Sequence, residues 1–66
     1  MGRVFTSREL LRLLKKAGFA ELRRRGSHVI LKHPDGRMTV VPMHHGDLPK
    51  GTARDILRQS GLNFQA

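Results

Sequence analysis

The sequence predicts an α+β fold in the order α-β-β-β-α, with both helices on one face of a three-stranded antiparallel sheet. Three observations predict it. Leucines recur at helical spacing behind a capping pair at Thr6 and Glu9, and side chains alternate from Phe19 to Val41 around two turn signals. Behind Pro49, Ala53, Ile56, Leu57 and Ser60 recur at helical spacing again.

The first helix starts at Thr6, because Thr6 and Glu9 stand at the spacing at which each side chain satisfies a backbone N–H at the other residue. Leu10, Leu13, Leu14 and Ala17 form its buried stripe, with Leu11 on the margin. Arg8, Arg12, Lys15 and Lys16 fall on the far side, and the two lysines complement the negative end of the helix. Gly18 supplies the left-handed stop. Met1, Gly2 and Thr6 also fit the template for N-myristoylation, but Thr6 has its own structural use as a cap.

A strand over 19–24 follows, with Phe19, Glu21 and Arg23 alternating against Ala20, Leu22 and Arg24. Arg25 and Gly26 are expected to turn the chain into a second strand running through His33. There His28, Ile30 and Lys32 share one face, and Val29, Leu31 and His33 the other. Pro34-Asp35-Gly36 is a strong turn signal, after which Arg37 to Val41 returns and Pro42 ends the supply of ladder donors. Pairing His33 with Arg37 sets Leu31 opposite Thr39 and Val29 opposite Val41, an inward face. His28, Ile30, Met38 and Val40 are then left outward, which is more apolar than a solvated sheet needs and suggests a surface covered by a protein partner.

A loop rich in His, Gly and Pro leads to a second helix over 50–59, for which Pro49 suits the first turn. Lys50, Arg54 and Arg58 recur every four residues along one of its faces, Gly61 ends it, and Leu62 and Phe64 fold back on the core. The 66 residues make one domain. A chain of this size buries only about 60% of the surface its unfolded form exposes. Nearly every Leu, Ile, Val and Phe must therefore contribute to the core, or a partner must add burial.

The charge balance limits the partners. Thirteen Lys and Arg against five Asp and Glu give a net charge of +8, which calls for a polyanion. Nine of the thirteen are Arg, whose planar fork pairs with phosphate in two bonds at once, so nucleic acid is favoured over a membrane surface. With no cysteine there is no disulfide framework and no thiolate nucleophile. No apolar run approaches the ~20 residues that span a bilayer, and no secretory pattern precedes the first helix, so the chain reads as cytoplasmic. The three phenylalanines suit core packing, which leaves RNA recognition to backbone contacts, shape and the planes of Arg and His.

His28 is the residue on which chemistry could turn. An isolated strand histidine is more often structural, but this one stands among the cations Arg23, Arg24, Arg25 and Lys32. An imidazole can take a proton from a ribose 2′-hydroxyl, an imidazolium can protonate a leaving 5′-oxygen, and surrounding cations stabilise charge developing on phosphorus. His44 and His45 are adjacent and lack the fixed spacing of a metal ligand set, even with Asp47 nearby, so no metal and no cofactor is expected. The stripes Arg8, Arg12, Lys16 and Lys50, Arg54, Arg58 could track phosphates, although charged helix faces are usually only solvated.

These residues resemble the HicA toxin family. Gly26-Ser27-His28, the His33-Pro34-Asp35-Gly36-Arg37 turn, Thr39-Val40-Val41-Pro42 and Leu48-Pro49-Lys50-Gly51-Thr52 leading to Ile56-Leu57-Arg58-Gln59-Ser60-Gly61-Leu62 carry the likeness. So do Ser7-Arg8-Glu9-Leu10 and Lys16-Ala17-Gly18-Phe19, which spreads it over essentially the whole chain. The resemblance implies a double-stranded-RNA-binding-domain-like fold. It also implies a type II toxin that cleaves mRNA without a metal, and a HicB-like antitoxin that covers the active site. The family's catalytic histidine maps onto His28, and Val29 stands where many members carry a second polar residue, which leaves the other acid–base group unassigned. The RNA-binding residues expected around His28 are Arg23, Arg24, Arg25, Ser27, Lys32, Lys50, Arg54 and Arg58. The rival reading is a basic RNA-binding module of the same fold that cuts nothing.

Overall fold

The computed structural model describes residues 4–62. Its elements run α1 (Ser7–Lys16), β1 (Ala20–Arg25), β2 (His28–Lys32), β3 (Met38–Pro42) and α2 (Lys50–Ser60). The order is the one expected, and the sheet is antiparallel with β2 in the middle. The expectations for Met1, Gly2 and Phe64 lie outside the described residues.

α1 begins as its sequence dictates. The Thr6 hydroxyl accepts from Glu9 N–H at 3.1 Å and the Glu9 carboxylate accepts from Thr6 N–H at 3.0 Å, so two end-of-helix donors are satisfied reciprocally. It ends in a Schellman turn: Gly18 N–H donates to the Lys15 carbonyl and Phe19 N–H to the Leu14 carbonyl. Gly18 has a φ of 107°, and a Cβ there would lie 2.8 Å from the His33 ring, so both conformation and space require glycine. α2 stops in the same way at Gly61, with Leu62 N–H reaching the Leu57 carbonyl. Pro49 is the N-cap of α2, one position ahead of the first turn.

The β2–β3 register is the one the turn signal predicts, with Val29 opposite Val41 and Leu31 opposite Thr39. Their inward side chains are all buried, and Val29, Leu31 and Val41 form one cluster with Phe5, Leu10, Leu14, Phe19, Leu48, Ala53 and Ile56. The buried residues of the two helices join only this face, so both helices lie on one side of the sheet. Leu11, Leu13, Ala17, Leu57 and Leu62 are partly buried around the cluster.

β1 departs from expectation in two places. It pairs Arg25 with His28, so the turn residues are Gly26 and Ser27 rather than Arg25 and Gly26. Of these two residues only Gly26 has positive φ, as the first central residue of a type II′ turn requires. The register also shifts between Glu21 and Arg23, which makes Leu22 an extra, 56% exposed residue. This bulge places Glu21, opposite Leu31, and Arg24, opposite Val29, on the same helix-side face although they are three residues apart.

Candidate active site

His28 is the first residue of β2, flanked by Arg25 on β1 and Pro42 on β3. Residues directly opposite across a ladder point to the same side, so Arg25 and His28 share the open face of the sheet. The imidazole is exposed, and among the described residues it makes no hydrogen bond or ion pair. Two tethers fix the backbone around it. Met43 N–H donates to the Ser27 carbonyl at 2.6 Å, continuing the β2–β3 ladder past the His28–Pro42 pair. The buried Ser7 hydroxyl donates to the Pro42 carbonyl at 2.6 Å and accepts from His44 N–H at 3.0 Å, which joins the start of α1 to the end of β3. Neither tether has a local sequence signal, because the partners of Ser7 are 35 and 37 residues away.

The expected RNA-binding residues separate into three groups. Arg23, opposite Ile30, and Arg25 stand on the open face with His28, and Ser27 adjoins it in the turn. Lys32 lies on the same face at the far end of β2, about 13 Å away at the usual rise of a strand. Arg24 is turned to the helix side, where it lies 3.5 Å from Glu21. Glu21 also accepts a 3.0 Å hydrogen bond from Lys15, and that bond first, followed by the charges of Lys15 and Arg24, holds its carboxyl below the ordinary glutamate range.

Lys50, Arg54 and Arg58 are exposed on α2, in the layer behind the sheet. Thr39 bonds Gln59, and Arg37 donates to the Ser60 carbonyl, so the start of β3 lies beside the end of α2 and the helix runs antiparallel to it. Lys50 therefore stands toward the His28 end of the sheet, and Arg58 toward the opposite end, paired with Asp55 at 2.6 Å.

The other histidines have different settings. His33 meets the Phe19 ring edge-on with centroids 5.1 Å apart, and its Nδ1 accepts from Asp35 N–H at 3.1 Å. It is a structural residue of the turn. His44 and His45 are exposed in the loop after β3, with His44 Nδ1 lying 3.1 Å from the His45 carbonyl oxygen. Among the described residues, no three His, Asp or Glu side chains are placed to hold a metal ion. Among them, too, no helix is long and apolar enough to cross a membrane.

The site thus offers one uncommitted imidazole beside a guanidinium, on a face whose remaining side chains are largely apolar. In a comparison with protein families, the model described as HicA toxin of bacterial toxin-antitoxin matches residues 7–62. A comparison with the curated proteins finds no match.

Proposed function

The chain belongs to the HicA toxin family of bacterial toxin–antitoxin systems, and from that membership we propose that it is a metal-independent endoribonuclease that cleaves mRNA through His28. The observation that carries this reading is the exposed His28 ring, which has no hydrogen-bond partner among the described residues and stands directly across from Arg25. In the proposed reaction the ribose 2′-oxygen attacks the adjacent phosphorus and the bond to the 5′-oxygen breaks. His28 either takes the 2′-hydroxyl proton as general base or, as imidazolium, gives a proton to the leaving 5′-oxygen. Arg25 and Arg23 on the same face stabilise the charge that builds on the phosphoryl oxygens. Ser27, Lys32, Lys50, Arg54 and Arg58 are the further candidates for holding the strand, while Arg24 is engaged with Glu21.

The same face accounts for the antitoxin that a toxin of this class needs. Met38, Val40 and Leu22 are exposed and Ile30 is half-buried, and a cluster of that kind suits a protein cover. A HicB-like antitoxin seated there covers His28 and Arg25 together.

The test is His28→Ala. With purified protein in a metal chelator, the wild type should fragment RNA, and His28→Ala should bind RNA with unchanged affinity and leave it intact. Equal cleavage by the two proteins overturns the assignment. Absence of cleavage by the wild type, with binding retained, supports the rival binding module.

A further inference from the structure

Around the end of the sheet from His28, the start of α1 and the segment after β3 enclose an open cleft of about 440 Å³. Arg8 lines one wall, and Met43, His44, His45 and Gly46 line the other. We propose that this cleft is a nucleotide subsite, taking the ribose-phosphate unit next to the linkage that lies at His28. The proposal rests on the ribonuclease reading and adds a place for the neighbouring nucleotide.

Four observations carry it. The cleft's size falls in the range of sites that hold small organic ligands, about 300 to 1,000 Å³. Among the described residues no carboxylate lines it, and the charged and titratable groups that do are the Arg8 guanidinium and the imidazoles of His44 and His45. A guanidinium fork fits a phosphate bidentately, and imidazole planes beside Met43 and Gly46 give a base a surface on which to stack. The Met43–Ser27 hydrogen bond continues the ladder one step past His28, so a strand leaving His28 reaches His44 without crossing the apolar sheet.

The walls are also held in place. Ser7 bonds both Pro42 and His44, and the Thr6–Glu9 capping box fixes the first turn of α1, from which Arg8 projects. The capping box already occupies donors of that turn, so the anion would be held by Arg8 and not by the helix end. Arg8 and His45 themselves are exposed, and neither makes a side-chain hydrogen bond or ion pair among the described residues.

The experiment compares Arg8→Gln with Arg12→Gln, which removes the same charge from α1 outside the cleft. Both residues are exposed, and unchanged thermal midpoints would show that both variants fold. In a His28→Ala background, binding of a short single-stranded oligouridylate should weaken about tenfold for Arg8→Gln, the scale of one lost charge-assisted hydrogen-bond pair, and clearly less for Arg12→Gln. The oligouridylate should shift the ring resonances of His44 and His45. With His28 present, Arg8→Gln should raise KM and leave kcat unchanged. Equal weakening by the two variants, with the His44 and His45 resonances unmoved, overturns the subsite. Absence of cleavage by the protein with His28 present overturns the ribonuclease reading instead, and the binding comparison remains readable.

Discussion

The Ser7 hydroxyl donates to the Pro42 carbonyl across 35 positions of sequence, and it is the contact that fixes α1 to the strand end beside His28. The same oxygen accepts from His44 N–H. One buried atom therefore sets the position of the sheet end, the first turn of α1 and the loop that carries two of the four histidines.

Ser7→Ala should destabilise the protein by about 1 to 3 kcal/mol, because it removes the hydroxyl partner of both a backbone carbonyl and a backbone amide. For a domain this small, each kcal/mol lowers the midpoint of thermal unfolding by about 4–8 °C. A thermal melt checks this, and a midpoint within about 2 °C of the wild type, well under the shift for one kcal/mol, would show that the contact contributes little.

Arg37 ties the other end of the sheet. Its Nε donates to Asp35 at 2.8 Å, its guanidinium carbon lies 5.3 Å from the Phe19 ring centroid, and it donates to the Ser60 carbonyl at the end of α2. Arg37→Lys should lose most of what Arg37→Ala loses, about 1 to 3 kcal/mol, because an ammonium is a point charge and cannot make these planar contacts together. Urea unfolding of the three proteins measures it. Full retention of stability in Arg37→Lys would reduce the arrangement to a simple charge.

Acid sensitivity follows from Asp35. Its carboxyl is held below the ordinary aspartate value first by the Arg37 backbone N–H at 3.0 Å and then by the Arg37 side chain. The unfolded chain therefore takes up this proton more readily than the folded one. The contribution is fully present above the ordinary carboxyl value and is lost as pH falls through the lowered one. Glu21, held down by Lys15, has the same sign. Asp35→Asn should be less stable than the wild type near neutral pH, and the difference should shrink from about pH 5 to about pH 2. Urea midpoints across that range check it, and a pH-independent difference would contradict it.

The fold was legible because its determinants are local. The Thr6–Glu9 spacing, the stripe through Leu10 and Leu14, and the Pro34-Asp35-Gly36 turn each act within a few residues, and the turn alone specified the register of Val29 and Leu31. The Leu22 bulge was not legible, since period-2 alternation gives no sign of an inserted residue, and without the bulge Arg24 and Glu21 would face opposite sides. His28 could be singled out because it stands next to a glycine turn among arginines. The cleft at Arg8 could not, because it forms only when α1 and the loop after β3 are brought together by Ser7.

The open face gives the last prediction. Val40 lies opposite Ile30 in the register and is 41% exposed, so its side chain contributes little to the core. Val40→Asp should therefore cost at most about 1 kcal/mol of stability, the span of strand preferences, and leave the proposed RNA cleavage intact. In an apolar interface, however, a carboxylate must be desolvated without a partner. Coexpressed with its antitoxin, the variant should escape neutralisation and arrest growth, while the wild-type pair grows, and affinity measured by calorimetry should fall at least about tenfold. Unchanged affinity would mean that the antitoxin covers another face, and His28 would then have to be blocked from the turn side, around Ser27.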